Sequence, residues 1–303
     1  MEYFGGIEAG GTKFICIIGS SPKNILSECR IETIDPNITL RKVEKFFIDQ
    51  MDTLEISLKS IGIGCFGPLD LDKNSETYGS ITTTPKVAWR NTNIPDVISA
   101  RLGVPVHIDT DVNAAALGEL TWGAGIGLKN LVYFTIGTGI GGGAIIDGKP
   151  LHGMLHPEMG HIFLKHDLIV DPFKGICPFH HDCFECLASG PSIKSRWDSP
   201  GENLPENHPA WDLEADYIAQ ALQAVVLMLS PSRIILGGGV MRQMNLFPMI
   251  RSNLHTMLNG YIQTKEILSD LDKYIVPPKL GQKAGVLGAL ALAMNLATLK
   301  EEN

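Results

Sequence analysis

The sequence has no excess of basic charge: 25 Lys and Arg stand against 33 Asp and Glu, a formal net charge of −8. A nucleic-acid partner asks for a basic stripe, and this balance argues against one. Nor is there an apolar run of the ~18 residues that marks a membrane span. The opening stretch MEYFGGIEAGGTK lacks the charged-then-apolar pattern of a secretory leader. No low-complexity linker interrupts the chain. Cytoplasm is the expected compartment, and structural disulfides are disfavoured there. Cysteine is scarce, six in 303 residues, yet three fall within CPFHHDCFEC at 177–186. In such a compartment clustered thiols bind metal or react. What remains is an ordinary globular composition, 44% hydrophobic and 19% charged, in a chain long enough for two domains with their own cores.

What is present is glycine in organised turns. Phe4–Glu8 and Lys13–Ile18 are Ile- and Phe-rich arms around Gly10-Gly11-Thr12, the pattern of a hairpin with a glycine turn. The device recurs. Leu131–Ile136 is expected as a strand, 137–143 (GTGIGGG) as the turn and Ala144–Ile146 as the returning strand. A third glycine turn, Gly237-Gly238-Gly239, follows the strand Arg233–Leu236 and leads into Val240-Met241. Such turns bring backbone N–H groups to phosphate oxygens because no side chain intervenes. Two hairpins, helped by the Thr12 and Thr138 hydroxyls and by Lys13, can clamp a nucleoside triphosphate. Any one glycine turn alone is as well explained as a plain hairpin; three in one chain, two of them near-copies, are not. Residues 137–142 formally match G-x-G-x-x-G, but a strand follows rather than a helix, so this is no dinucleotide fingerprint. GGTK lacks the spacing of a P-loop.

Helices are expected over 38–52, 92–102, 113–122 and 284–299, with short buried strands at Ser60–Cys65 and Val104–Ile108. Residues 198–209 (DSPGENLPENHP) have the composition of an exposed loop. The strand ending at Ile108 runs into Asp109-Thr110-Asp111 and a helix. An acid at that junction faces the ligand crevice of open α/β sheets. Phosphoryl transfer needs a base there, and Asp111 is placed for it. Each of the three residues is equally a candidate helix cap.

The cysteine cluster contains Cys177-x-x-His180-x-x-Cys183. Zinc takes four tetrahedral N or S ligands, and six of the nine histidines lie between 152 and 181, so a fourth ligand is at hand. Cys183 and Cys186 also form C-x-x-C, but without the context of a redox fold. His181 is expected to face solvent. Cys16 and Cys65 are expected in the core, and His107 partly buried on its strand.

Taken together, GGIEAGGTK (5–13), DTDVNAAALGE (109–119), TIGTGIGGG (135–143), HPEMGHI (156–162), CPFHHDCFE (177–185), LASGP (187–191) and LGGGV (236–240) resemble the ROK family of sugar kinases, and within it the bacterial fructokinase-like branch. The motifs run in family order from residue 5 to about 293. The resemblance implies an actin-like (ribonuclease H-like) α/β fold with ATP in a cleft between two domains. The smaller domain would comprise 1–115 with the C-terminal helix at about 285–303, the larger 116–284 with a zinc-binding loop. It implies Asp111 as catalytic base. ATP and its phosphates would meet Gly10, Gly11, Thr12, Lys13, Gly137, Thr138, Gly139, Pro191, Gly237, Gly238, Gly239, Val240 and Met241. The sugar would meet Glu158 and His161 of the ExGH motif, Glu185, and Asn91 in TPKVAWRNTNI (84–94), where Ala88 replaces the usual Gly. Zinc would be structural, held by His161, Cys177, His180 and Cys183, and Mg²⁺ would accompany ATP. Glucokinases of the family carry Asp at Glu8 and Asn at Thr110, and both departures suit a fructokinase. D-fructose phosphorylated at O6 is therefore the expected reaction. Mannose, glucose or an N-acetylated amino sugar are the other substrates, and a catalytically silent sugar or nucleotide sensor is the alternative class. The family's repressors carry an N-terminal DNA-binding domain; a phosphate hairpin that begins by residue 5 leaves no room for one. A homodimer is the family's habit.

Overall fold

The computed structural model describes residues 1–294. In chain order these form β1 (Tyr3–Ala9), β2 (Lys13–Ser21), β3 (Asn24–Glu32), α1 (Pro36–Leu54), β4 (Leu58–Cys65), α2 (Ile94–Leu102), β5 (Val106–Thr110) and α3 (Asp111–Trp122). There follow β6 (Leu131–Ile136), β7 (Ile140–Ile146), β8 (Lys149–Pro150), α4 (Phe184–Ala188), α5 (Gly190–Trp197), α6 (Ala210–Leu229) and β9 (Ile234–Gly237). The chain closes with α7 (Leu246–Leu258), α8 (Lys265–Leu268), α9 (Leu271–Tyr274), β10 (Ile275–Val276) and α10 (Ala284–Ala293). The last helix was expected to reach residue 299; its final part, from 295, lies outside the described residues.

Two compact units emerge. The first takes Met1–Lys129, Gly143–Pro157 and the segment from Lys279; the second takes Asn130–Gly142 and Glu158–Pro278. A boundary at 115 would cut α3, whereas the contacts leave that helix whole in the first unit.

The first unit is built on a sheet of order β3-β2-β1-β4-β5. β1 pairs with β2 antiparallel through the glycine turn and with β4 parallel. Its core gathers alternate residues of these strands, among them Ile7, Phe14, Ile61 and Ile63, with Phe47 of α1 and Trp89. α1 starts where its chemistry says it should: Asp35 Oδ1 accepts the Ile38 N–H at 2.9 Å, and Pro36 supplies the preset φ of a first helical turn. α3 and α10 have no polar face. Val112 through Leu120 are all buried, as are most residues of α10, so these helices pack on every side. Their small residues permit it: a Cβ at Gly288 would overlap the Ala114 carbonyl, so only glycine allows this approach.

The second unit holds β10, β9, β6 and the start of β7, neighbours in a sheet of order β10-β9-β6-β7-β8. Phe134 of β6 meets Phe184 of α4 edge to face at 5.9 Å. Trp211, Ile218 and Leu222 bury one side of α6. A buried polar network is centred on Asp171. Asp171 takes Arg196 Nε at 3.1 Å and the Tyr217 hydroxyl at 2.6 Å, and its carbonyl meets His166 Nε2 at 2.8 Å. The buried Asp171 and Arg196 thus pair with each other, as burial demands. β3, α6 and α7 had no counterpart in the strands and helices expected from sequence. β3 (NILSECRIE) alternates half-buried and exposed positions, being an edge strand with one solvated face.

Candidate active site

The first unit holds the first glycine turn, Glu8 and the Asp109–Asp111 junction. At the turn between β1 and β2, Gly10 N–H donates to the Lys13 carbonyl at 3.0 Å. Thr33, just past β3, braces the turn: its hydroxyl donates to the Gly10 carbonyl at 2.8 Å and its N–H to the Thr12 carbonyl at 3.1 Å. Thr12 is exposed and Lys13 half-buried. Glu8, the last side chain but one before the turn, has a buried Oε2 with no partner among the described residues. Burial, then the neighbouring Asp111 charge, push its carboxyl up to about 7, against the pull of Lys13.

Asp111 opens α3 without capping it. The cap is Thr110, whose hydroxyl accepts the Asn113 N–H at 3.1 Å. Asp111 Oδ1 accepts its neighbour's Val112 N–H at 2.9 Å. Burial pushes its carboxyl up to about 6, partly offset by that N–H. A base with such a value accepts a proton more readily than an ordinary aspartate. Asp109 serves a third purpose: Oδ1 takes the Thr110 N–H at 2.7 Å and Asn113 Nδ2 at 2.8 Å, and Oδ2 takes His152 Nε2 at 2.9 Å. The ambiguity among the three residues is thus resolved by hydrogen-bond partners. Asn91, the expected sugar contact of this unit, is exposed with φ 60°. His107, expected to be partly buried, is exposed on the edge strand β5.

Glu119, the acid ending the DTDVNAAALGE stretch, is wholly buried. Its carboxylate accepts the N–H groups of Ala124 at 2.6 Å, Lys279 at 3.1 Å and Leu280 at 2.8 Å. Its role was not legible in sequence, since two of its partners lie some 160 residues away.

In the second unit, Gly137, Thr138, Pro191, Gly239 and Val240 line one cavity of about 960 Å³. Gly237, Gly238 and Met241 stand behind it rather than in its wall. Gly238 has φ +94° and its α-carbon lies against the Ile136 backbone, two reasons for glycine there. Sequence reading missed Lys194, Glu202, Trp211, Arg242 and Gln243, which also line the cavity. Residues 198–209, expected as an exposed loop, contribute Pro200 and Gly201 to the same wall. Gly139 closes the other hairpin turn, its carbonyl accepting the Gly137 N–H at 2.9 Å. Glu185 Oε2 then accepts the Ile140 N–H at 2.8 Å.

Glu158 is exposed and precedes the turn Met159–His161. His161 Nδ1 lies 3.5 Å from Cys183 Sγ, and Cys177 Sγ 3.8 Å from His180 Nδ1. Donor atoms of these four residues all fall within 4.8 Å of one another. A tetrahedral zinc site with bonds of ~2.0–2.3 Å has edges of roughly 3.3–3.8 Å, so the two separations fit a shared cation. Burial pushes the Cys183 thiol up to about 12, reinforced by Cys177; a bound cation would favour its thiolate. His181 is exposed, as expected. Cys186, which the sequence marks only as the second thiol of a C-x-x-C, has a structural part. It is buried, and its sulfur accepts the Ile176 N–H at 3.1 Å and the Cys177 N–H at 3.2 Å, so it shapes the loop from which Cys177 projects.

Two five-stranded sheets in a mixed α/β chain, with their glycine hairpins, define the actin-like fold of the sugar kinases. The chain belongs to the ROK family, whose pattern matches residues 4–295. It is 43% identical to a fructokinase of Lactococcus lactis subsp. cremoris, a match covering 98% of each chain. A Zymomonas mobilis fructokinase is likewise 43% identical, over 97% of both. A solved ROK family glucokinase from Streptomyces griseus, in complex with glucose and AMPPNP, is 25% identical with a TM-score of 0.76, covering 97% of this chain and 99% of that one.

Proposed function

We propose that the protein is an ATP-dependent hexose kinase that phosphorylates D-fructose at O6, with Asp111 as general base. The observation that carries this reading is Asp111 at the β5–α3 junction, relieved of capping by Thr110 and poised near pH 6. As O6 attacks the γ-phosphorus, its proton passes to the Asp111 carboxylate and ADP leaves. The fructokinase relatives, at 43% identity over nearly the whole chain, support fructose as the acceptor. Glu8 and Thr110, where glucokinases of the family carry Asp and Asn, support it further.

The Gly10–Lys13 turn and the cavity at Thr138, Pro191 and Val240 are read as the ATP contacts, with Gly237, Gly238 and Met241 shaping the cavity from behind. Mg²⁺, bound with the nucleotide, would neutralise triphosphate charge; Glu8, with its unpartnered oxygen, is the acid of the first unit suited to face it. Asn91, Glu158, His161 and Glu185 are read as the sugar contacts. His161, Cys177, His180 and Cys183 are read as a structural zinc site, supported by their donor spacing. We place the protein in the cytoplasm, where both substrates are found, as a homodimer; sedimentation velocity tests the latter.

A coupled ADP-release assay over a hexose panel is the deciding experiment. Fructose should give the highest kcat/KM, ahead of mannose, glucose and N-acetylated amino sugars. Asp111→Asn should abolish turnover while leaving ATP binding intact. A variant that keeps near-wild-type rate would remove Asp111 from the role of base.

A further inference from the structure

Cys16 and Cys29 are directly opposed residues of the antiparallel pair β2–β3. Cys16 is fully buried in the core of the first unit, and Cys29, half-buried, packs against that same core. Opposed residues of antiparallel strands have α-carbons ~4.5–5.5 Å apart, inside the ~4.4–6.8 Å that a disulfide spans. β3 is the edge strand of its sheet, so a small oxidant can approach from the side of Cys29. No other cysteine is opposed to a thiol in this sheet: Cys65 pairs in register with Ala9 and Thr110. The ladder that carries the two thiols ends three residues further on, at the pair Lys13 and Glu32. Next comes Thr33, whose two hydrogen bonds brace the Gly10–Thr12 turn.

We propose that Cys16 and Cys29 are a redox-active dithiol, closed to a disulfide by peroxide, and that closure weakens nucleotide binding at the neighbouring glycine turn. The Cys29 thiolate attacks the peroxide O–O bond, giving a sulfenic acid and releasing hydroxide, which a proton converts to water. The Cys16 thiol then attacks that sulfur, forming S–S and expelling the oxygen as a second water. Two thiols are oxidised and one peroxide is reduced. A cellular thiol reverses the step by exchange. The contact with Cys16 holds the Cys29 thiol below its usual range, which favours Cys29 as the attacking sulfur. Drawing two opposed Cβ atoms to ~3.8 Å changes the local twist of β2 and β3. Four residues past Cys29, that twist sets where Thr33 holds the turn. The effect on nucleotide rests on reading this turn as a phosphate contact; formation of the disulfide does not.

The test uses the whole protein with hydrogen peroxide as oxidant. After free thiols are blocked, peptide mapping should find Cys16 joined to Cys29 with loss of two hydrogens, reversed by dithiothreitol. The apparent KM for ATP should rise several-fold on oxidation and return on reduction. Cys29→Ser should keep the reduced enzyme's KM and be insensitive to peroxide in this respect. Mapping separates this pair from Cys177, Cys183 and Cys186. Both thiols remaining alkylatable after peroxide would overturn the dithiol. A mapped Cys16–Cys29 disulfide with unchanged ATP KM would overturn the link to the turn, as would an equal rise in Cys29→Ser.

Discussion

Glu185 Oε2 accepts the Ile140 backbone N–H at 2.8 Å, joining α4 to the start of the returning strand of the second glycine hairpin. A side chain assigned to the sugar from its place in a motif therefore also holds the hairpin that bears Thr138. Glu185→Ala leaves the Ile140 N–H without its acceptor, a loss of about 1–3 kcal/mol at such a site. KM values for fructose and ATP should rise together. Steady-state kinetics with each substrate varied in turn checks this; an effect on fructose alone would leave the hairpin bond without consequence.

Removal of the metal should act through the same bond. Cys183 immediately precedes α4, which carries Glu185, and its carbonyl accepts the Leu187 N–H at 3.1 Å in the first turn of that helix. Dialysis against a chelator should lower thermal stability and weaken fructose binding, and added zinc should restore both. Isothermal titration with fructose before and after dialysis measures this. Unchanged sugar affinity in protein verified as metal-free would confine the metal to folding.

Glu8 sets a pH dependence of stability. Its carboxyl sits at about 7 against an ordinary value of 4.5. Between those values the folded chain keeps a proton that the unfolded chain has lost. Stability contributed by this group is therefore complete below about 4.5 and declines as pH rises through about 7. Glu8→Gln removes that slope. At pH 8 the variant should be more stable than wild type, on the order of 2 kcal/mol, with no gain at pH 4. Urea unfolding at both pH values is the measurement, and equal midpoints at pH 8 would contradict the assigned environment.

Glu119 makes the opposite prediction. Its carboxylate satisfies three backbone N–H groups in a site closed to water. Glu119→Gln keeps one carbonyl oxygen but turns an amide toward donors. The cost should be about 3 kcal/mol, seen as a lower denaturation midpoint at neutral pH. A variant within experimental error of wild type would mean that these donors find other acceptors.

The local chemistry is legible residue by residue. Glycine turns, the C-x-x-H-x-x-C spacing and the acid between strand and helix are short-range patterns, and each lies where its residues announce it. Cys16 and Cys65 are in the core because an apolar strand flanks each of them. Tertiary structure decided which of several equivalent groups does which task. Thr110 rather than Asp111 caps α3, a choice that depends on where Asp109 is held by Asn113 and His152. Cys186 shapes the segment that carries Cys177, because folding brings its sulfur under two backbone N–H groups. Trp211 lies at the start of a helix with no motif around it, yet lines the cavity beside Pro191 and Gly239. Glu119 and Cys29 likewise acquire their partners only when distant strands and helices pack. Turn and ligand spacings are set by bond geometry over a few residues, whereas hydrogen-bond partners and burial are set by what the rest of the chain brings alongside.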